Sequence, residues 1–319
     1  MRALRYDRYG TADVLHVAEL AEPTPAAGEA KVRVRAVSLN PLDWKIRAGH
    51  VRLIPLFRGP PRGIGCDFSG EIVGVGGGAS ARHPGERVFG SIVPFPRDGA
   101  LAEFVVVPAD RIVPIPESLD FEHAAALPIA GGTALQAIVD HARIAAGQRV
   151  LITGAAGGVG HFAVQIAKHL GAHVVGVCGA ANAGFVRGLG ADEVIDYARE
   201  DFTRRDDRFD LVFDAAGASS CAAARRVLAD AGCYVNTGGD AAAVASTVAA
   251  AVFARLTSRQ RAIPFTLNNS APTWERLAAF ARDGVLRAHI ERTIALEEVA
   301  DALRAMETGH GRGKIVDRL

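Results

Sequence analysis

Apolar and polar residues alternate along short segments in the first third of the chain. Residues 31–37 alternate strictly, which predicts a half-buried β-strand, and residues 71–75 and 104–107 predict two further short strands. Segments rich in glycine and proline, such as residues 83–90 and 93–103, separate them and are typical of turns. Short strands joined by frequent turns predict a compact, partly closed β domain.

The pattern changes near Phe121, where continuous Val/Ile/Leu runs begin to alternate with amphipathic segments of helical length. Continuous apolar runs are typical of strands that are buried on both faces of a parallel sheet. Repeated strand–helix units of this kind indicate a doubly wound α/β fold. The predicted strands are residues 149–153, 173–178, 193–196, 210–214 and 232–236, and the predicted helices are residues 158–170 and 183–189.

From about Ala262 the pattern changes again. A strand is predicted for residues 263–267, amphipathic helices for residues 272–283 and 296–307, and a last short strand for residues 313–317. The Ala/Val-rich residues 240–251 predict one more helix and carry no functional signal.

The composition excludes several classes of function. The 319 residues include 36 Lys and Arg against 35 Asp and Glu, so no overall field favours nucleic acid or an anionic membrane. The four cysteines are far apart and form no C-x-x-C pair, which argues against a disulfide framework and a four-cysteine zinc site. No apolar run approaches the roughly 18 residues of a membrane span, and the N-terminus has no apolar signal segment. We therefore expect a cytoplasmic protein with no integral membrane segment and no nucleic-acid partner.

A glycine-rich turn links the first strand of the strand–helix region to the helix that follows. Placed between a buried strand and an amphipathic helix, such a turn is a strong signal for dinucleotide binding. Glycine lets the backbone turn tightly and approach a pyrophosphate, and the helix N-terminus offers unpaired N–H groups to the phosphates. The predicted pyrophosphate-binding residues are Gly154, Ala155, Gly157, Gly158, Val159 and Gly160.

The end of the next strand bears on the choice of cofactor. A fold specific for NAD carries Asp or Glu about 20 residues after the glycine turn, where it binds the ribose hydroxyls. Here the strand ends at Cys178 and Gly179, with no acid, and Asn182 and Arg187 follow. Because no carboxylate repels a 2′-phosphate there, we predict NADPH as the cofactor and leave NADH open.

Specific motifs run in order through nearly the whole chain, and they comprise residues 38–45, 65–70, 84–90, 99–103, 127–134, 154–160, 189–197 and 313–316. With these motifs the chain resembles the zinc-independent branch of the medium-chain dehydrogenase/reductase superfamily, the quinone oxidoreductase family. It looks most like the subgroup of the chloroplast-envelope quinone oxidoreductase homologue and the reticulon-4-interacting protein.

The resemblance implies an α/β protein with two domains. A GroES-like β-rich catalytic domain would be built from residues 1–122 and 261–319, and a Rossmann domain with a doubly wound parallel sheet from residues 123–260. The active cleft would lie between the domains, which is a usual place for a ligand site. A homodimer is the expected assembly.

The resemblance also implies roles for single residues. Asn40 and Thr133 would help to hold the nicotinamide and the acceptor, Tyr197 would stack near the adenosine phosphate, and Arg312 or Lys314 would reach the cofactor. One departure concerns the cofactor. The subgroup often has a basic residue where this chain has Ala181, and related reductases carry Lys where Asn182 stands, so a usual clamp for the 2′-phosphate is missing.

The motif that holds catalytic zinc in other members of the superfamily is altered here. Zinc-dependent relatives use a Cys, a Gly-His-Glu segment and a later Cys or acid, whereas this chain has Gly65, Cys66 and Asp67 at the Gly-His-Glu position. Catalytic zinc needs three protein ligands and an open position. We therefore expect no zinc and no other metal, and we interpret Cys66 as a small buried apolar residue.

Without a metal, the chemistry reduces to positioning a hydride donor against an acceptor that is already electrophilic. Hydrogen-bond donors then stabilise the oxygen on which negative charge develops. Asn40 and Lys45 are the candidate donors, and Asp43 is expected to orient their loop or Lys45; a structural turn and salt bridge is the other interpretation of Asp43 and Lys45. The expected function is reduction of a small quinone or α,β-unsaturated carbonyl by NADPH. The alternatives are an enoyl-thioester reductase and a non-catalytic, cofactor-binding interaction protein.

Overall fold

The computed structural model describes residues 1–50, 52, 59–78, 82–92, 99–238, 259–309 and 311–319. The helix predicted for residues 240–251 lies outside the described residues. The chain forms two compact units, one of Met1–Gly132 with Asn268–Leu319 and one of Thr133–Leu267. The sequence places the domain boundaries earlier, at 122/123 and 260/261. The structure keeps the helix Phe121–Ala125 in the first unit because this helix packs against four of that unit's strands.

The strands of the described ranges are numbered in chain order through both units. Their bounds are β1 Arg2–Tyr6, β2 Leu15–Glu19, β3 Glu29–Ser38, β4 Arg62–Gly63, β5 Asp67–Val75, β6 Arg87–Ser91, β7 Phe104–Pro108, β8 Ile112–Pro114, β9 Arg149–Thr153, β10 His173–Cys178, β11 Glu193–Asp196, β12 Phe209–Asp214, β13 Leu228–Asn236, β14 Arg261–Pro264, β15 Ile290–Ile294 and β16 Lys314–Arg318.

The helices of the described ranges are shorter than most of the predicted ones. Their bounds are α1 Pro41–Arg47, α2 Phe121–Ala125, α3 Pro128–Leu135, α4 Gly160–His169, α5 Ala183–Gly188, α6 Cys221–Ala224, α7 Ala271–Arg282 and α8 Val299–Glu307. A π-helical segment, Gln136–Ala142, follows α3. The next residue, Arg143, has a left-handed backbone and ends the helical conformation.

The first unit is built on a seven-stranded sheet. Its strand order is β15-β16-β3-β5-β6-β8, with β7 paired to β3, and a separate three-stranded sheet has the order β2-β1-β4. The predicted alternation of residues 31–37 is confirmed in β3, where Val32 and Val34 are buried and Arg33 is exposed. These valines join a core that includes Phe68 from β5 and Leu303 from α8. The sheet therefore brings the last residues of the chain beside its first third.

The second unit is a six-stranded parallel sheet with the order β11-β10-β9-β12-β13-β14. The strands predicted for residues 149–153, 173–178 and 193–196 coincide with β9, β10 and β11. The strand predicted for residues 263–267 lies instead at Arg261–Pro264, since proline lacks the N–H that a strand needs to continue its pairing. The order reverses beside β9, so β9 is the switch point of a doubly wound sheet.

The helices of the described ranges were compared with the requirements of a membrane span. None of them combines the length and the apolar run that crossing a bilayer requires.

Candidate active site

Two of the three predicted catalytic residues are hydrogen-bonded to each other at the start of α1. Asn40 has extended backbone and precedes Pro41, which begins the helix at the position where a missing N–H is tolerated. The Asp43 carboxylate accepts a hydrogen bond from the Asn40 N–H, with Oδ2 2.6 Å from the nitrogen. The sequence predicts that Asp43 orients a loop or Lys45. The segment is a helix, and Asp43 caps its N-terminus.

The side chain of Asn40 is held by three polar groups inside the first unit. Its Oδ1 accepts a hydrogen bond from Lys314 Nζ at 2.6 Å. Its Nδ2 donates to Asp67 Oδ2 at 2.9 Å and to the Ser38 carbonyl oxygen at 3.2 Å. Both amide hydrogens are therefore used, which leaves no free donor on Asn40 for an acceptor oxygen.

We define the Asn40 cluster as Asn40, Asp43, Cys66, Asp67 and Lys314. Each of these residues is buried, with at most 4% of its surface exposed. Asp67 accepts a second hydrogen bond, at 3.0 Å, from the N–H of Ile129 in the first turn of α3. Sequence reasoning considered Asp67 only as part of the altered zinc motif and assigned it no role, so its structural role was missed. The cluster links β3, β5, β16, α1 and α3.

Burial dominates the electrostatics of the Asn40 cluster. Desolvation raises the pKa of Asp43 to about 6, although the hydrogen bond from Asn40 favours the charged form. Desolvation also raises the pKa of Asp67 to about 7, against the opposing effects of the Lys314 ammonium and the Asn40 amide. Burial lowers the pKa of Lys314, which Asp67 and Asp43 partly offset. The two carboxyl groups therefore take up or release protons near neutral pH.

The donor set of the cluster does not fit a zinc ion. The cluster contains no histidine, and the Oδ2 atoms of Asp43 and Asp67 already accept hydrogen bonds from Asn40 and, for Asp67, from the Ile129 N–H. The Lys314 ammonium already brings a positive charge to the same carboxyl groups. Within the described ranges, no group of three or more His, Cys, Asp or Glu side chains is arranged to hold a metal ion.

The hydrogen bonds described so far involve none of the predicted residues Lys45, Thr133 and Arg312. Lys45 lies in the last turn of α1, half-buried, with Nζ 5.7 Å from the centroid of the Trp44 ring. Thr133 lies in α3 and is 6% exposed. Arg312 precedes β16 and is half-buried, and its N–H donates to Glu291 Oε2 at 3.2 Å. Lys314 was predicted to reach the cofactor, and its ammonium contacts Asn40.

The glycine turn of the second unit lies between β9 and α4. Gly154 has a left-handed backbone, with φ +60°, which glycine adopts without strain. A Cβ at Gly160 would lie 2.1 Å from the Gly154 carbonyl oxygen, so the turn closes only because this residue has no side chain. The Gly157 N–H donates to Gly154 O at 2.9 Å, and Ala155 N–H donates to Val177 O at 3.1 Å. Gly158 and Val159, both half-buried, complete the turn before α4 begins.

This turn fits the pyrophosphate of a dinucleotide. Its backbone closes with no Cβ at Gly160, and α4 has 10 residues, enough for a helix dipole. The His161 N–H donates to the Gly157 carbonyl oxygen at 3.0 Å, so the other N–H groups at this end of the helix would be the ones suited to phosphate oxygens.

The predicted adenosine-side residues of the second unit come together at the end of β10. Tyr197 N–H donates to Cys178 O at 3.3 Å, and Asn182 N–H donates to Gly179 O at 2.9 Å. A Cβ at Gly179 would lie 3.2 Å from the Tyr197 hydroxyl oxygen, so the tyrosine lies directly over this glycine. Tyr197 is 58% exposed, which leaves its ring accessible to a ligand.

One acidic residue near this position was not foreseen. Asp196, at the end of β11, is in register with Cys178 on β10. Its Oδ1 accepts a hydrogen bond from the Ala198 N–H at 3.1 Å, so it caps its own turn. Sequence spacing from the glycine turn follows β10 alone, so it could not show an acid that arrives from the neighbouring strand.

A second unforeseen residue, Asp214, organises the other side of the glycine turn. Its carboxylate accepts hydrogen bonds from Thr153 Oγ1 at 2.5 Å and from Tyr234 Oη at 3.1 Å. It also accepts from the Ala218 N–H, the Ser219 N–H and the Ser219 hydroxyl. Asp214 thereby ties the end of β9 to the loop after β12. The only signal in the sequence was an acid at the end of a predicted strand.

Comparisons with known proteins agree with this architecture. Residues 26–117 match the family model of the alcohol dehydrogenase GroES-like domain, and residues 189–316 match that of the zinc-binding dehydrogenases. The chloroplastic quinone-oxidoreductase homolog of Spinacia oleracea is 34% identical over 99% of this chain and 98% of its own length. The chloroplastic NADPH-dependent alkenal/one oxidoreductase of Arabidopsis thaliana is 30% identical over 99% of this chain and 79% of its own length.

A solved structure extends the agreement to three dimensions. The quinone oxidoreductase from Coxiella burnetii has a TM-score of 0.87 and 31% identity, and the match covers 100% of this chain and 99% of that one. The predicted fold class, a GroES-like β-rich domain with a Rossmann-type parallel sheet, is confirmed. The chain therefore belongs to the quinone oxidoreductase family of the medium-chain dehydrogenases/reductases.

Proposed function

We propose that this protein transfers a hydride from NADPH, or from NADH, to a quinone or an α,β-unsaturated carbonyl compound, and that it does so without zinc. The glycine turn carries this proposal, since its closed backbone at the start of α4 suits a dinucleotide pyrophosphate. The relatives with quinone and alkenal/one oxidoreductase names support the class of acceptor.

Most of the residues that would hold the cofactor lie in the second unit. When bound, a nicotinamide cofactor supplies the hydride that the reaction needs. In the second unit the predicted set is Thr133, Gly154, Ala155, Gly157, Gly158, Val159, Gly160, Cys178, Gly179, Asn182 and Tyr197. Arg312 is the predicted contact from the first unit. The contact predicted for Lys314 would require its buried ammonium to leave Asn40.

The hydrogen bonds of the Asn40 cluster change the roles that we assign to Asn40, Asp43 and Lys45. Because both hydrogens of the Asn40 amide are used inside the cluster, we assign hydrogen-bond donation to the reduced acceptor to Lys45. Lys45 is half-buried on α1, and a lysine ammonium carries three N–H groups, more than one partner uses. Asn40 and Asp43 then hold the start of α1. A cation beside the oxygen stabilises the negative charge that develops during reduction.

The preference for NADPH rests on the chemistry at the end of β10. Residues 178–182 contain no acid, the Asp196 carboxylate beside Cys178 accepts a hydrogen bond from the Ala198 N–H of its own turn, and Tyr197 lies exposed over Gly179. The basic side chains of related reductases are absent at Ala181 and Asn182. We therefore propose that NADPH is preferred by a modest factor. A homodimeric assembly and a cytoplasmic location stay predictions, and the spinach relative is chloroplastic by name.

The experiment that tests the function follows the nicotinamide absorbance of the purified protein with NADPH and NADH. The acceptor panel contains ortho- and para-quinones, short enones and an enoyl thioester, each with and without a metal chelator. Turnover of quinones or enones that survives chelation supports the proposal. Turnover of the enoyl thioester alone would favour the enoyl-thioester reductase. If a cofactor binds and no acceptor is reduced, the non-catalytic interaction protein is favoured. If neither cofactor binds, the proposal fails.

A further inference from the structure

Lys314 is an unusual residue because its whole side chain is buried. It is 3% exposed, and an ammonium group that leaves water must be compensated by partners. Its Nζ donates to Asn40 Oδ1 at 2.6 Å, and Asp67 and Asp43 supply the nearby negative charges that favour its charged form. One cation thus serves two carboxyl groups that are themselves fully buried.

The sheet of the first unit brings Lys314 to this position. β16 pairs antiparallel with β3, with Val316 opposite Ser38, and the Leu39 N–H donates to Ile315 O at 3.0 Å. This register places the first residue of β16 beside the residues that follow β3, although 274 positions separate Lys314 from Asn40 in the chain. The contact is therefore a property of the sheet rather than of a mobile terminus.

The contacts also determine which way the Asn40 amide faces. Its oxygen must face the ammonium, which can only donate, and its nitrogen must face Asp67 and the Ser38 carbonyl oxygen, which accept. A flipped amide would set two donors together and two acceptors together. The orientation of Asn40 therefore depends on a positive charge on one side and a carboxylate on the other.

The family model of the zinc-binding dehydrogenases implies a metal, and the Asn40 cluster, which has no histidine and holds the Lys314 ammonium against Asn40, does not fit one. We propose that Lys314 is a positioning residue: its ammonium takes the place of a metal ion as the cation around which Asn40, Asp43 and Asp67 are arranged. Through Asn40 and Asp67 it fixes the start of α1, and through Asp67 and the Ile129 N–H it fixes the start of α3. The effect on turnover rests on the proposed function, whereas the effect on Asn40 does not.

The first test uses the protein without any substrate. The exchange of the Asn40 side-chain amide hydrogens is followed by ¹⁵N-resolved NMR, with Asn40→Asp to assign the signal. In Lys314→Met the exchange is expected to accelerate by roughly tenfold or more, because the amide loses the partner that orients it. Lys31→Met is the control, since Lys31 lies in the same unit and pairs with Glu22 outside the cluster. Unchanged exchange in Lys314→Met overturns the proposal.

The second test distinguishes a Lys314 that positions Asn40 from a Lys314 that only balances the charge of Asp67. Lys314→Met is expected to lower turnover by roughly tenfold or more, in the range typical for residues that support a site from behind. The double variant Asp67→Asn/Lys314→Met removes one charge of each sign, so it is expected to recover thermal stability while turnover stays low. If turnover returns together with stability, Lys314 only balances charge and the proposal is wrong.

Two further measurements keep the outcomes distinct. Zinc analysis of the purified wild-type protein is expected to give far less than one metal ion per chain, and stoichiometric zinc would overturn the proposal. If the wild-type protein reduces no acceptor, the proposed function fails, and the exchange of the Asn40 amide still decides the role of Lys314.

Discussion

Asp317 gives a quantitative prediction about stability. It lies on β16 with its side chain fully buried, and neither carboxyl oxygen has a hydrogen-bond partner among the described residues. Burial raises its pKa from the ordinary 3.8 to about 7, and the charges of Glu297 and Glu298 act in the same direction. The folded protein therefore favours the protonated, neutral form of this group.

The sign of the pH dependence follows from the raised pKa. Because the folded state holds the proton more tightly than the unfolded state, Asp317 destabilises the fold progressively as pH rises from about 4 to about 7. Within this window each pH unit lowers the free energy of unfolding by about 1.4 kcal/mol, so the rise from about pH 5 to about pH 7 costs roughly 3 kcal/mol. Asp317→Asn removes the charge at every pH, and any fixed cost of burying the amide cancels in a comparison across pH.

We expect Asp317→Asn to gain stability over the wild type by roughly 3 kcal/mol between about pH 5 and about pH 8. Urea unfolding followed by tryptophan fluorescence measures this, because Trp44 and Trp274 both lie in the unit that contains Asp317. Asp110→Asn, at an exposed position of the same unit, is the control and should show a constant difference. If Asp317→Asn differs from the wild type by the same amount at both pH values, this account is wrong, since the carboxyl group would then ionise as easily in the fold as in the unfolded chain.

Three other predictions concern the second unit. Gly160→Ala should weaken NADPH binding by roughly tenfold or more in calorimetry, because the added Cβ would lie 2.1 Å from the Gly154 carbonyl oxygen. Gly188→Ala is the control, and this variant should bind NADPH normally because its added Cβ has open space around it. Asp214→Asn should lower the free energy of unfolding by roughly 2–4 kcal/mol in urea unfolding followed by circular dichroism, because its amide nitrogen would face donors that now bond a carboxylate oxygen; a loss below about 1 kcal/mol would contradict this. Tyr197→Ala should weaken cofactor binding and change the unfolding free energy by less than about 0.5 kcal/mol, since the side chain is 58% exposed; normal binding would exclude the predicted contact.

The part of the site that could be predicted from sequence is the part made by neighbouring residues. The glycine turn follows directly on a buried strand and precedes an amphipathic helix, so its position required only local periodicity and glycine spacing. Strands β9, β10 and β11 were predicted with their observed bounds for the same reason. Helix α1 was missed because its seven residues contain too few turns to show a clear period.

Contacts between distant residues were beyond sequence reasoning. Asp196 reaches the end of β10 from a neighbouring strand, and Asp214 reaches Thr153 across a parallel pair. A sequence specifies the residue type at each position and no register between strands, so neither partner could be named. The burial of Lys314 shows the same limit, since nothing in the local pattern indicates that its charge is buried.

Local pattern alone was enough to predict a β-rich first third, a doubly wound part after it and a glycine-rich turn after β9. The folded chain was needed to show that Lys314 lies against Asn40 and that Asp317 is buried without a hydrogen-bond partner in the described ranges. The physical reason is that the burial and pairing of a charge depend on which segments pack together in the fold. The register of β16 on β3 determines those contacts for Lys314 and Asp317.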